Sequence, residues 1–319
     1  MEMTGKEKIK RALSRQPLTG QVPTLELVFY LTMEALGEVH PTHRIFTQWD
    51  QMSDAEREAQ RQDAANVYIE TAKKYGHSAI SVHPIQYRMD ELIRFFEIMR
   101  EKAGDDYFLI FHDDPTFEIP HGDTMMDFSV DMYENPGKLK AQSDRRIKEC
   151  AQKAEELAKR GLADGVAMCS DYCFNANPYF TGDLFTTYIA PVLEKMIGIY
   201  HDLGFKVIKH TDGNIMPIID YMVDCKPDAL HSLDPQGGVD LGEVKKKYGD
   251  RVALIGNVNC GLLQTGTEEE VEADVRRALR QGMDGFGYIF ATSNCAYTGL
   301  PLERYELMNR IWREEGIYK

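Results

Sequence analysis

The run Lys206-Val-Ile-Lys-His210-Thr-Asp212-Gly-Asn214 places an imidazole and a carboxylate two residues apart at the end of a short β-branched strand-like run. On an extended chain, side chains two apart point the same way, so His210 and Asp212 are expected to share one face of one opening. Gly213 lets the backbone turn, and Asn214 can cap a helix that starts there. An imidazole and an acid at the carboxyl end of a strand that feeds a helix can move protons or hold a metal ion. A histidine that only bonds the loop backbone is the other reading of this segment, and the segment alone leaves both open.

Such residues need elements to position them. Strand-like runs occur at 23–29, 78–82, 107–111, 165–169, 205–209, 229–232, 252–256 and 285–290. Helix-like segments lie between them, around 54–75, 88–103, 136–160, 182–203, 214–224, 240–248, 267–281 and 301–315. In 148–160, Ala151, Ala154, Leu157 and Ala158 form one stripe, and Glu155 and Glu156 stand four before Lys159 and Arg160. Strand–helix alternation of this kind predicts an α/β chain folded as a (β/α)8 TIM barrel. The expectation is a single domain over 1–319 with an N-terminal helical extension, opened by a Thr4/Glu7 capping box and running through Leu13. A doubly wound open sheet would call for a glycine-rich phosphate turn after the first strand, but that strand leads into Tyr30-Leu-Thr-Met. Segments 30–53 and 112–135 read as long polar connections over the barrel mouth.

In a barrel, the carboxyl ends of the strands form one rim. Along the chain that rim holds Glu26, His83, His112 with Asp113, Asp171, His210 with Asp212, His231 with Asp234, Asn257 with Asn259 and Cys260, and Asn294 with Cys295. The opposite end holds Pro23, Ser78, Asp164 and Arg251. Polar, ligating side chains gathered at one end are what a barrel enzyme requires. His210, Asp212 and Cys295, with Glu26, are ligand types that zinc accepts. Asp171, His83 and Glu26 are candidates for orienting a substrate or moving a proton. Each has a structural alternative. Cys295 can be a half-buried thiol, Asp171 can bond backbone amides, and His83 can fix the turn before Pro84.

Composition narrows the classes. The 319-residue chain carries a formal charge of −14 and is 43% hydrophobic, enough for a sizeable core. Nucleic-acid backbones and anionic membranes are therefore not expected as partners. No apolar run approaches the roughly 18 residues of a membrane span, and the N-terminus lacks the apolar core of a signal peptide. The six cysteines are scattered, as expected of reduced thiols in a cytoplasm. The chain contains no HExxH, P-loop, Gly-x-Ser-x-Gly or CxxC motif.

Four motifs carry a family likeness. His210-Thr-Asp-Gly-Asn214, Gly256-Asn-Val, Gly266-Thr-Glu-Glu-Glu-Val271, and Asn294-Cys295 ahead of Gly-Leu-Pro-Leu-Glu303 resemble the uroporphyrinogen decarboxylase superfamily. The opening Thr4-Gly-Lys-Glu-Lys-Ile-Lys-Arg-Ala-Leu is similar to that family's first helix. The resemblance spans nearly the whole chain and implies a (β/α)8 barrel with its cleft at the strand C-termini.

Two chemistries follow from it. The family's decarboxylases bind a poly-carboxylate tetrapyrrole through an arginine-rich segment after the first strand. Here that place reads Leu25-Glu26-Leu-Val-Phe-Tyr30, with no arginine until Arg44. Their catalytic aspartate after strand two is also missing, and His83 stands nearby. The cobalamin-dependent methyltransferase branch holds zinc through a His-x-Cys pair after strand five and a cysteine after strand eight. His210 and Cys295 match two of those ligands, and Asp212 replaces the middle cysteine. A carboxylate in that place suits oxygen chemistry better than thiol activation. The resemblance thus implies a zinc-assisted methyltransferase subunit. It would move a methyl group from a small donor, such as an aryl methyl ether in O-demethylation, to a corrinoid (cobalamin) on a partner protein or free. The metal-free alternative is a decarboxylase or lyase in which Asp171 and His210 handle protons. A non-catalytic corrinoid or tetrapyrrole carrier is the third reading, but the chain lacks the Asp-x-His-x-x-Gly motif of corrinoid carriers.

Overall fold

The computed structural model describes residues 3–319. The first helix, Gly5–Leu13, starts at the expected capping box. The Thr4 hydroxyl accepts the Glu7 amide at 3.2 Å, and the Glu7 carboxylate accepts the Thr4 amide at 2.9 Å. Two orphan amides of the first turn are thereby satisfied. The short strand β1 (Gly20–Gln21) pairs antiparallel with the last one, β9 (Ile317–Tyr318), and ties the two ends of the chain together.

Between them lies a parallel sheet of seven strands in sequential order. These are β2 (Ala79–Ser81), β3 (Phe108–His112), β4 (Gly165–Met168), β5 (Lys206–His210), β6 (Ala229–His231), β7 (Ala253–Ile255) and β8 (Tyr288–Ile289). Register pairs such as Ile110↔Gly165, Ala167↔Ile208 and His210↔His231 align the carboxyl ends. Phe108, Leu109 and Ile110, Val166, Ala167 and Met168, and Ala253, Leu254 and Ile255 are all buried. Continuous apolar strands of this kind are characteristic of a parallel sheet covered by helices.

The expected strand at 23–29 does not form a regular ladder. Its backbone nevertheless reaches both edges of the sheet. The Ser78 amide donates to the Thr24 carbonyl (2.7 Å), and the Phe290 amide donates to the Pro23 carbonyl (2.9 Å). Isolated parallel bridges link Thr24 with Phe290 and Phe29 with Ala296. Pro23 has no amide to donate. The Thr24 hydroxyl donates to the Phe290 carbonyl at 2.8 Å, the same acceptor that the Leu25 amide meets only at 3.3 Å. Side chain and backbone compete for one carbonyl, so regular pairing is lost.

Helices Asp54–Tyr75, Met89–Ala103, Pro136–Lys159, Leu241–Tyr248, Glu268–Met283 and Leu302–Glu315 lie where periodicity predicts them. Region 182–203 is broken into Gly182–Leu184, a π-helical turn at Phe185–Ile189, and Ala190–Asp202. The helix expected from 214 begins only at Ile219, because Asn214 spends its side-chain oxygen on the Met216 amide (3.2 Å) and closes a turn instead. The two long connections carry short helices: Thr32–Leu36 in the first and Met125–Glu134 in the second. Such short pieces depend on tertiary contacts. Ser129 and Tyr179 share a 2.9 Å hydrogen bond, and the Tyr188 hydroxyl donates to the Met132 carbonyl. Among the described residues, no helix is long and apolar enough to cross a membrane.

Candidate functional site

β5 ends on His210, whose ring is buried. Its Nε2 lies 3.8 Å from an oxygen of Asp171, beyond the end of β4, and 3.8 Å from an oxygen of Asp212. The ligating atoms of these three residues all fall within 4.8 Å of one another. The Asp212 amide donates to Asp171 Oδ1 at 2.9 Å, which fastens one carboxylate to the other's backbone. Asp212 is held further by the Ser232 hydroxyl at 2.7 Å and by the Asn294 amide group. On the far side of the ring, His210 Nδ1 and His231 Nδ1 share a hydrogen bond of 2.8 Å. With Nδ1 engaged, Nε2 is the edge turned toward the carboxylates.

Burial dominates the electrostatics. It lowers the His210 pKa to about 4, an effect that Asp171 opposes and Lys209 reinforces, so the ring is neutral near pH 7. Burial, with repulsion from Asp171, raises Asp212 to about 7 against the hydrogen bonds from Ser232 and Asn294. Near pH 7 Asp212 is thus divided between its protonated and ionised forms, beside Asp171 and a neutral imidazole. The cations that reach this layer are already committed. Lys209, fully buried, donates to Asp114, Met168 and Ser170. Arg277 donates to Asp274, Asn257 and Gln281.

This donor set suits a divalent metal. Two ligands bound to one zinc are roughly 3.4 Å apart for metal–ligand bonds near 2.1 Å. The two 3.8 Å gaps from His210 Nε2 need a small contraction, and the carboxyl oxygens, within 4.8 Å of each other, need to draw together as well. The histidine's other nitrogen is held by a second imidazole, and Asp212 by an alcohol and an amide, the kind of outer support that orients ligating side chains.

Two glycines let the surrounding loops close up. Gly213 has φ +79°, and a Cβ there would lie 2.6 Å from the Phe174 carbonyl oxygen. A Cβ on Gly237 would lie 2.3 Å from the Gly213 carbonyl carbon. The loops after β4, β5 and β6 therefore pack backbone on backbone beside Asp171 and Asp212.

The other candidates lie around this trio. His83 stacks on His112 with ring centroids 3.9 Å apart. His112 also contacts Cys169 Sγ through Nδ1 (3.4 Å) and shares a hydrogen bond with Ser81. His83 Nε2 is buried without a hydrogen-bond partner, and burial lowers its pKa to about 4. Glu26 is buried. It accepts the Thr292 hydroxyl at 2.6 Å and the Thr292 amide at 3.3 Å, and burial raises its pKa to about 8. Cys295 is half-buried, its thiol pushed to about 12 by burial, and its sulfur is not among the three clustered ligating atoms. The structure therefore brings Asp171, His210 and Asp212 together and puts Glu26 on Thr292 and His83 on His112. Sequence reasoning missed Lys209, Asp114, Cys169 and Ser232. Lys209 had a signal: a lysine that follows Val207-Ile208 inside a strand of a parallel sheet is rarely buried without a partner.

The sequence pattern of uroporphyrinogen decarboxylase (URO-D) matches residues 120–314, more than half of the chain. The protein belongs to the uroporphyrinogen decarboxylase family. Its fold is similar to that of a methyltransferase from Methanosarcina mazei, with a TM-score of 0.73, 18% sequence identity, and 98% of this chain and 99% of that one covered. A β-mannanase from the blue mussel Mytilus edulis aligns more loosely, at a TM-score of 0.47 and 9% identity over 85% of this chain and 90% of that one. A sugar phosphate isomerase/epimerase from Parabacteroides distasonis aligns at 0.41 and 11% over 71% and 77%. No curated protein matches the sequence.

Proposed function

We propose that the protein is a metal-assisted methyltransferase that moves a methyl group from a small donor to a corrinoid, bound to a partner protein or free. The observation that carries this reading is the cluster of Asp171, His210 and Asp212 at the strand ends, two carboxyl groups around a neutral imidazole. The structural neighbour described as a methyltransferase and the family membership agree with it. The Arg-free segment around the buried Glu26 argues against a poly-carboxylate tetrapyrrole as substrate, since unpaired buried carboxylates cost several kcal/mol each.

In this reading the chain is a single domain and the segment at 23–29 is the eighth stave of a closed barrel. His210 and Asp212 hold zinc, with Asp171 as the third protein ligand and Cys295 as the remaining candidate on the same rim. When bound, the zinc supplies a Lewis acid for the oxygen that leaves as the methyl group departs. Ser232, Asn294 and His231 keep their partners in place for it. His83, with an unengaged Nε2, offers a hydrogen bond that would orient the donor. Neutral imidazoles at His83 and His112 keep that wall free of charge near pH 7.

The test is incubation with reduced cobalamin and a panel of methoxylated aromatics and methylated amines, followed by the absorbance of methylcobalamin. Zinc-dependent formation from at least one donor, with no consumption of uroporphyrinogen, is expected. Uroporphyrinogen consumed without any methylcobalamin would reassign the protein as a decarboxylase.

A further inference from the structure

Lys209 has no part in the chemistry above, yet it is the most completely enclosed charged side chain near the cluster, with zero exposure. Its ammonium donates to Asp114 Oδ2 at 2.9 Å, to the Ser170 carbonyl at 2.9 Å and to the Met168 carbonyl at 3.2 Å. It also lies 4.2 Å from the centroid of the Tyr172 ring. Asp114 is spent in turn. Its Oδ2 also accepts the Ser170 amide at 2.9 Å, and its Oδ1 accepts the amide and hydroxyl of Thr116.

The location of these bonds matters more than their number. Lys209 immediately precedes His210 on β5. Its two carbonyl partners and its aromatic one hold the chain at 168, 170 and 172, on either side of Asp171, and Asp114 adds a hold on the Ser170 amide. One ammonium thereby joins the backbone under the imidazole to the backbone under the carboxylate. Apolar side chains would pack β5 against β4 equally well, since buried ion pairs are commonly replaced by hydrophobic residues without loss of stability. What an apolar replacement cannot do is fix two carbonyls at set distances from one point.

We infer that Lys209 and Asp114 are positioning residues that set the separation of Asp171 from His210 for metal binding. This rests on the metal reading above. Neither residue is among the clustered ligands.

The test uses the full-length protein in three forms: wild type, Lys209→Met, and Lys209→Met with Asp114→Asn. The single variant strands a buried carboxylate and is expected to lose stability. The double variant removes that charge and is expected to regain most of the lost melting temperature. Cobalt(II), whose visible spectrum reports coordination, is titrated into each. The expected result is that the double variant, although stable, binds cobalt roughly 10- to 100-fold more weakly than wild type, the usual cost of losing outer support at a metal site. Its visible bands should also differ. A double variant with wild-type affinity and spectrum would overturn the proposal.

Crystal structures of the metal-free wild type and double variant separate the two readings. If wild type binds no divalent metal but Asp171 still moves off His210 in the double variant, the metal assignment falls and the positioning role stands. If the separation is unchanged, the positioning role falls.

Discussion

At the scale of single residues, the cluster makes distinct demands on its members. His210→Ala removes the nitrogen donor of the cluster, and zinc affinity should fall to the level of non-specific binding in a calorimetric titration. Asp171→Asn should weaken zinc at least tenfold, and Cys295→Ser less than threefold, because Asp171 rather than Cys295 shares the 4.8 Å cluster. Glu26 permits a test by pH. Burial raises its pKa to about 8 from 4.5, so between those values the folded protein keeps a proton that the unfolded chain has released. Stability from this group is complete below about pH 4.5 and is lost as pH rises through 8, by about 1.4 kcal/mol per pH unit. Urea denaturation should therefore show wild type losing up to roughly 4 kcal/mol relative to Glu26→Gln between pH 5 and pH 8. A parallel pH dependence of the two proteins would mean that Glu26 is ionised in the fold. His210 and Asp212 could be read from the chain because a two-residue spacing on a strand fixes a shared face. Asp171 could be placed on the same rim, but not within ligating distance of both, since its approach is fastened by a hydrogen bond from the Asp212 amide, made between residues 41 positions apart.

At the scale of elements, the strands were the legible part. Seven of the eight expected runs form the sheet in sequence order, since fully buried apolar stretches leave little choice. The first run failed where its own residues compete with the ladder, at Pro23 and Thr24. Short helices such as Met125–Glu134 escaped notice because few of their side chains are buried, Met132 among them. The long loops at 30–53 and 112–135 were legible from their polarity, and the turn beside the cluster from Gly213. Gly213→Ala tests the backbone packing beside the cluster. A methyl group at φ +79° and 2.6 Å from the Phe174 carbonyl has no room, so chemical denaturation should show a loss of about 3 kcal/mol. A neutral outcome would show that the loop after β4 can move aside freely.

At the scale of the whole molecule, titratable groups gather at one end of a sheet whose strands all run the same way. His112, His210 and His231 are each the last residue of a strand, and Asp171 and His83 follow two others closely. That arrangement was visible in the sequence once the strands were placed, because parallel strands send every carboxyl end to one side. The family could be read from motifs near these ends, whereas the division between a charged cluster and a neutral imidazole wall needed coordinates. The most direct measurement is anomalous scattering at the zinc edge from crystals grown with zinc and without an affinity tag. The account predicts one strong peak about 2.1 Å from His210 Nε2 and from oxygens of Asp171 and Asp212. The absence of a peak at this position, with His210 bonded only to protein, would contradict it.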